Sequence, residues 1–458
     1  MKKLLSNILI LSLLLGQFSL LPAQAQTKFF SNIGINKHAV TTNQKYQYMN
    51  IEWWNNFNDD YLIEYINKAF ENNNDLKIMG HLTEEYYQAS RLQFSQELPQ
   101  AGVGFAPINY KFPQTNKYDW HFFLPIAVNY EADIFLKNHN KTKSSKKTYE
   151  MSLQDERSIY ISVISNVAVV YFNIVKLDNV IEIQEHIVNN RKTIYELMQK
   201  RNKSGLTSEA DVVRAEQGYT QSNIELSDLI KEKEKLLNQL AVLTGDSPYN
   251  SSEFQRSSLE DISFNGVIPK EISTDIIENR PDYIKAMTEV EKAGLDVKIA
   301  KKEFLPTFDI AGLALFNASD FASTLTTANS LLAFGAGVFQ PIFTGGAKVA
   351  NLRLKKASYE RILENYKKTN LVAMQEINDS LVTIKQDEGK YSDTLKQLEL
   401  SQKDYFYNKR RYEKGLISYL DLIQSEESML SISKLAAIQK TDNYIDYIGL
   451  YKSTGAKL

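Results

Sequence analysis

The chain has 458 residues, 24% of them charged, with a net charge of -2 and no cysteine; its mean hydropathy is -0.35. The absence of a basic excess speaks against a nucleic-acid partner. A chain this wetted is not a polytopic helical membrane protein, and the lack of cysteine excludes a disulfide framework.

At the N-terminus, Lys2-Lys3 precede an apolar stretch from Leu4 to Leu21, which ends at Pro22-Ala23-Gln24-Ala25. A basic head, an apolar core and an Ala-x-Ala site predict a secretory signal peptide over residues 1–25 and an exported mature protein. No later segment reaches the ~18 consecutive apolar residues of a spanning helix. Residues 26–56 read as an N-terminal arm.

An internal repeat organises the remainder. An offset of 210 residues carries Arg201, Gly205, Leu206, Ser208 and Asp211 onto Arg411, Gly415, Leu416, Ser418 and Asp421, and Thr244-Gly245 onto Thr454-Gly455. Solenoid units run only about 20–50 residues. The chain is therefore read as two copies of one large half, 57–247 and 277–458, joined by a Ser-, Asn- and Asp-rich linker at 248–276.

Each half predicts a helix, two strands, a very long helix, a tight turn and a returning helix. The first helix covers Tyr61 to Leu98, with Asp59 or Asp60 as its cap. From Tyr118 to Tyr130 the period becomes two: Trp120, Phe122, Leu124, Ile126, Val128 and Tyr130 alternate with His121, Phe123, Pro125, Ala127 and Asn129, which marks a strand. Its partner is about Gly102 to Phe112, across a turn at Pro113-Gln114-Thr115-Asn116. In the second half a helix from Pro281 to Phe304 precedes strands at Thr307 to Phe316 and Leu331 to Ile342.

Ile134 to Asn202 and Ala347 to Lys414 contain no proline, and at ~1.5 Å per residue each helix would span on the order of 100 Å. Ile159, Val163, Val167, Val170, Ile174, Leu177 and Ile181 step by four and three. So do Tyr359, Ile362, Tyr366, Thr369, Ala373, Ile377, Leu381 and Ile384. Both sets form the narrow seam of coiled-coil packing. Gly205 and Gly415 are placed to end these helices in the left-handed conformation, and Ser208 and Ser418 to cap the returning ones.

Four strands of about 10–13 residues are each long enough to cross a membrane when tilted. Four cannot close, however, and an open edge in lipid leaves backbone groups unpaired at several kcal/mol each. Membrane strands would have to be pooled, two chains giving eight and three giving twelve. The same strands could also form a soluble sheet.

Trp53-Trp54-x-x-Phe57 with Leu62, then Asn74-Asp75-Leu76, resembles the N-terminal signature of the outer-membrane efflux family, the TolC-like channels, and within it the NodT branch. Asn279-Arg280-Pro281-Asp282 is similar to that branch's Arg-Pro-Asp helix start, where proline at the first helical position suits the preset φ. Phe339-Gln340-Pro341-Ile342-Phe343-Thr344-Gly345-Gly346 resembles its strand-to-helix passage, and Gly415 with Leu420-Asp421-Leu422 its periplasmic turn. The likeness runs from about Trp53 to Gly455.

The resemblance implies an α+β membrane protein: a homotrimer whose twelve-stranded barrel, four strands per chain, is continuous with a coiled-coil helical tunnel in the periplasm. It implies an outer-membrane exit duct set in outer-membrane lipid, docked to a periplasmic adaptor and an inner-membrane pump, of RND type for this branch. Many members carry a lipid-bearing cysteine after the signal peptide; this chain has none. The competing reading from the seams alone is a secreted structural coiled-coil protein.

The resemblance also implies that Asp421 lines the periplasmic aperture, where three facing carboxylates would favour cations, with Tyr412, Gln424 and the repeat mate Asp211 as further aperture candidates. Each aspartate also suits the first turn of a helix, where the macrodipole favours negative charge. Some members place an arginine two residues after the turn glycine and a second aspartate three after the first. Ile417 and Gln424 stand there instead, so an Arg–carboxylate gate is not expected. Arg280, Pro281 and Asp282 are read as structural.

No enzyme chemistry is legible. His38, His81, His121, His139 and His186 are scattered, and no metal or cofactor site is expected. Gly335-Ala336-Gly337 lacks the third glycine of a dinucleotide loop, and no Gly-x-Ser-x-Gly occurs. The basic run Lys137 to Lys147 reads as a solvated face or a lipid-headgroup contact rather than a phosphate site.

Overall fold

A computed structural model describes residues 52–111, 118–249, 254–269 and 272–456. The signal peptide, most of the arm, the turn at Pro113-Gln114-Thr115-Asn116 and parts of the linker lie outside the described residues. In chain order the elements are α1 (Asp60–Asn72), α2 (Asn74–Ser95), β1 (Gln100–Val103), β2 (Ala106–Lys111), β3 (Tyr118–Glu131), α3 (Lys137–Lys203) and α4 (Glu209–Thr244). They continue with α5 (Pro281–Lys302), β4 (Thr307–Ala318), β5 (Ser330–Phe339), α6 (Ala347–Glu413) and α7 (Tyr419–Ser453). Both α3 and α6 have 67 residues, and the repeat offset carries the bounds of one onto the other. The described residues form two compact units, one from residues 87–148 and 291–361 and the other from the rest.

The first unit holds one antiparallel sheet in the order β1/β2, β3, β4, β5. β1 and β2 are a single predicted strand that breaks midway. Both pair with β3 in one unbroken register, from Gln100 opposite Asn129 to Lys111 opposite Tyr118. The break has a local cause. The Gly104 N–H donates to the Pro125 carbonyl at 2.9 Å, but proline has no N–H with which to return the bond. A Cβ at Gly104 would also lie 3.2 Å from the Pro125 ring. β5 stops at Phe339, short of the predicted Ile342, where Gln340-Pro341 withdraws the next donor.

Cross-strand partners share a face. Val103, Ile126, Ala314 and Leu332 line up across the sheet, as do Ala101, Val128, Gly312 and Phe334. That face also carries Trp120, Phe122 and Val338, and it is open: Leu332 is 74% exposed and Phe334 82%. The opposite face presents Asn129, Glu131, Asp309 and Asn317 with Ala333, Gly335 and Gly337. There His121 Nδ1 and Asn317 Oδ1 lie 3.0 Å apart. Phe123, Leu313, Leu315, Leu331 and Phe339 share that second face, so it is mixed, and the polar side chains cluster on it while the first face is apolar, as in a strand set between lipid and water. Among the described residues, β1/β2 and β5 each pair with one neighbour only.

The second unit is helical. The predicted helix from Tyr61 to Leu98 is interrupted at Asn73. The Asn73 side chain accepts from the Leu76 N–H at 3.1 Å and donates to the Leu243 carbonyl at 2.9 Å, so a local cap competes with helix continuation. Trp53, Trp54 and Phe57 form a short 3-10 helix that plugs the core. Trp53 stacks on Tyr451 at 5.2 Å, and Phe57 sits 4.8 Å from Phe172 and 5.6 Å from Tyr444.

The α3 seam is buried from Val163 through Ile181, together with Tyr171, Phe172 and Val175. Its most apolar 18-residue stretch is 67% buried, so it is core and not a spanning segment. The α6 seam is thinner: Ile362, Ala373, Ile377 and Ile384 are buried, but its other members are not. The described part of the linker packs on the helices. Leu259 and Ile262 are buried, Arg256 pairs with Asp178, and Tyr444 donates to the Ile262 carbonyl at 2.9 Å.

Asp59 ties these pieces together while 2% exposed. It caps α1 through the Tyr61 and Leu62 N–H groups at 3.0 and 3.3 Å, and accepts from the Tyr171 hydroxyl at 2.6 Å and the Ser257 hydroxyl at 3.0 Å. Asp59→Ala should strand these donors and lower stability by about 3 kcal/mol. Circular-dichroism melting of the detergent-solubilised protein should show a midpoint several degrees lower, with the strand signal retained.

Candidate functional site

The two turns that end the long helices share one construction. Gly205 and Gly415 have φ of 72° and 71°, in the left-handed region where other residues are strained. The Leu206 N–H reaches back to the Arg201 carbonyl at 2.9 Å, and Leu416 to Arg411 at 2.8 Å, the six-to-one bond of a Schellman cap. Each returning helix then opens on a capping box, Ser208 with Asp211 and Ser418 with Asp421.

Asp421 is exposed on the first turn of α7. Its Oδ2 accepts from the Ser418 hydroxyl at 2.8 Å and the Ser418 N–H at 3.0 Å. These bonds, helped by the more distant Arg411, hold its carboxyl below the usual carboxylate range. Asp211 makes the same box and is lowered by Ser208, then by Thr207, whose hydroxyl donates at 2.9 Å. Its Oδ1 also takes Arg214 at 3.5 Å. In both copies the serine cap bonds end on Oδ2; the repeat mates differ in that Asp211 Oδ1 also takes Arg214.

The turns belong to one end of the helical unit. Ile194 and Met198 of α3, Val212 of α4 and Ile423 of α7 form one buried cluster, with Leu420 packed against it. Val212 directly follows Asp211, and Leu420 and Ile423 flank Asp421. The Tyr412 ring lies 5.5 Å from that of Tyr419, and its carbonyl accepts the Gly415 N–H at 2.8 Å. Gln424 is exposed one turn beyond Asp421. Leu206 and Leu416 stand out into solvent at the two turns, 68% and 65% exposed.

Arg280, Pro281 and Asp282 are not part of this group. Arg280 is 7% exposed and grips Asp282 at 2.9 and 2.6 Å, Glu376 of α6 at 2.7 Å and the Ser453 carbonyl of α7. Burial works against its charge, but Asp282 and Glu376 outweigh that and raise its pKa. Asp282 is lowered because Arg280 outweighs burial. The motif pins the start of α5 to α6 and α7. Glu376 and Ser453 carry no sequence signal, lying 96 and 173 residues away. In the basic run, Lys137 pairs with Glu131 and Lys147 with Glu291, both at 2.7 Å.

A sheet with one apolar face and, among the described residues, two unpaired edges, in a chain that also has two helices of 67 residues, suits a channel-forming outer-membrane protein. Residues 113–246 and 272–456 match the outer membrane efflux protein family, and the chain belongs to that family. It is similar to the solvent efflux pump outer membrane protein SrpC of Pseudomonas putida, 23% identical over 406 residues that cover 87% of this chain and 86% of that one. It is likewise similar to the cation efflux system protein CusC of Escherichia coli, 23% identical over 412 residues and 89% of each chain. The Campylobacter jejuni CmeC outer membrane channel shares the fold, with a TM-score of 0.80, 24% identity and 88% of each chain covered.

The protein is thus an outer-membrane efflux channel component with a periplasmic helical extension, of a family of channels rather than enzymes. The secreted coiled-coil reading finds no support among these relatives. At φ near 71° a β-branched side chain is strained by roughly 1–2 kcal/mol. Gly415→Val should therefore speed hydrogen exchange across residues 410–420 by up to about tenfold, while β-strand content and membrane insertion persist.

Proposed function

We propose that three copies of this chain form the exit duct of a tripartite efflux system, receiving cargo through a periplasmic adaptor from an inner-membrane pump of the RND type. The observation that carries this reading is the four-stranded sheet with an apolar face and two unpaired edges. In lipid each unpaired edge group costs several kcal/mol, so the edges must meet those of other copies. Three copies pool twelve strands, within the range of closed membrane barrels. Mass measurement of the detergent-solubilised protein should find three chains, and a stable monomer would overturn the assembly.

In this assembly Asp421 supplies the aperture charge. Three symmetry-related carboxylates a few ångströms apart repel at about 332/(ε·r) kcal/mol, several kcal/mol in sum even at an effective ε of about 20. A cation relieves that repulsion, which gives the aperture its preference. Tyr412 and Gln424 line the same end as uncharged hydrogen-bonding groups, and Asp211, already paired with Arg214, contributes less. Asp421→Ala should reduce cation preference in planar bilayers and weaken block by multivalent cations, with Asp211→Ala doing less. Equal selectivity in wild type and Asp421→Ala would place the aperture charge elsewhere.

A further inference from the structure

Basic residues crowd one end of the sheet. Lys137 to Lys147, at the start of α3, holds five lysines and no acid. Lys298 to Lys302, at the end of α5, holds three lysines, and Lys348 to Lys356, at the start of α6, four basic residues, again without an acid. The whole chain has slightly more acids than bases, 55 against 53. All three runs lie in the first unit, where the chain passes between helix and strand. The β4–β5 connection at the other end, residues 319–329, has no lysine or arginine. Between β5 and the third run, Ile342 is 97% exposed and Phe343 89%.

The same end holds an open cavity of about 250 Å³, lined by Lys137, Lys302 and Lys348, one from each run, and by Phe135, Leu305 and Pro341 among its apolar walls. Three acids also line it, so the cavity itself is balanced and the positive surplus lies around it in the runs. The acids are engaged. Glu131 pairs with Lys137 at 2.7 Å, and Asp133 accepts from the Lys137 and His139 N–H groups at 2.6 and 2.7 Å. Glu303 accepts from the Asn351 amide at 2.9 Å. The unfilled capacity is on the donor side. An ammonium has three N–H donors; Lys302 gives one to the Leu136 carbonyl at 3.2 Å, and Lys348 pairs with no carboxylate among the described residues.

We propose that this cavity binds the headgroup phosphate of an anionic phospholipid, with Lys302 and Lys348 as its donors and the surrounding lysine runs selecting for negative charge. Pockets that enclose a whole ligand measure roughly 300–1,000 Å³, so this one takes a headgroup and leaves the acyl chains outside. Phe135, on its wall, lies 6.0 Å from Phe308, which shares the apolar face of the sheet with Val338 and Phe334. The chains lie over that face. The proposal rests on the channel reading, in which the apolar face meets lipid. Attraction between a lysine and an anionic surface fades within a Debye length, about 10 Å at 0.1 M salt, so it acts on headgroups at this end of the sheet and not on the rest of the bilayer.

The test is native mass spectrometry of the full-length protein in detergent, titrated with phosphatidylglycerol, with phosphatidylcholine of the same chains, or with inorganic phosphate. Phosphatidylglycerol should be held several-fold more tightly than phosphatidylcholine, whose trimethylammonium offsets its phosphate. Lys302→Gln and Lys348→Gln should each weaken phosphatidylglycerol roughly fivefold, whereas Lys396→Gln, far along α6, should change nothing. Should Lys302→Gln disturb the fold through its bond to Leu136, Lys348→Gln alone decides. Equal retention of the two lipids, or undiminished retention in Lys348→Gln, would overturn the site, as it would if another copy covered the foot of β5. Displacement of phosphatidylglycerol by an equal concentration of inorganic phosphate would overturn it in favour of a free-phosphate site. Insertion into phosphatidylcholine vesicles separates the two readings. Protein that inserts but shows no lipid preference loses the site and keeps the barrel, whereas protein that inserts into no vesicle sinks the barrel.

Discussion

The constraint on which the rest depends is that backbone donors and acceptors at a sheet edge cannot stay unpaired in lipid. One chain supplies a sheet in the order β1/β2, β3, β4, β5, with edges at β1/β2 and β5 and an apolar face bearing Leu332 and Phe334. Such a sheet is unstable in water because of the face and unstable in lipid because of the edges. Closure with further copies removes both problems at once. Each chain then needs only a fraction of a barrel, which is why so much of its length can be spent on helices of 67 residues.

Duplication supplied two such helices, and the copies have since diverged in their packing. α3 is buried on a broad face between the Trp53-Trp54-Phe57 plug, the linker strap and its neighbours, and it reads as hydrophobic enough to be mistaken for a spanning segment. α6 keeps a narrow seam with Ile362, Ala373, Ile377 and Ile384. The first hairpin is not purely apolar either: Lys233 of α4 reaches Asp178 of α3 at 3.4 Å, and Gln184 of α3 donates to Glu225 of α4 at 3.3 Å.

What could be read from the residues alone follows physical rules that act locally. Alternation of period two located β3 because one face is apolar and the other polar. Gly205 and Gly415 located both turns because a left-handed φ all but requires glycine. The features that escaped depend on distant partners or on competition between local rules. Pro125 splits the strand opposite it, not its own. Asn73 interrupts a periodic helix by capping its continuation. The Ser, Asn and Asp of the linker give no sign of packing, yet Leu259 and Ile262 are buried and Asp59 holds Ser257. Arg280 was legible as a motif, but its grip on Glu376 and the Ser453 carbonyl was not. Asp421 was legible as a residue in the first turn of a helix capped by Ser418, but its own part in the cap, accepting from the Ser418 N–H and hydroxyl, was not.

The capping role of Asp421 and its proposed aperture role are compatible because a carboxylate has two oxygens. The capping bonds from Ser418 both end on Oδ2, which fixes the side chain at the start of α7 without neutralising it, since neither donor carries a charge. The helix macrodipole favours that negative charge for the same reason that it favours any anion at a helix start. The cap therefore opposes the protonation that mutual repulsion in a ring would promote. Asp211 shares the cap, but Arg214 compensates its charge. Local stability and long-range field thus use different properties of one side chain, its geometry and its charge, and the repeat separates them: both copies keep the geometry, and only the first adds an arginine on the free oxygen, the arginine near Asp421 being more distant.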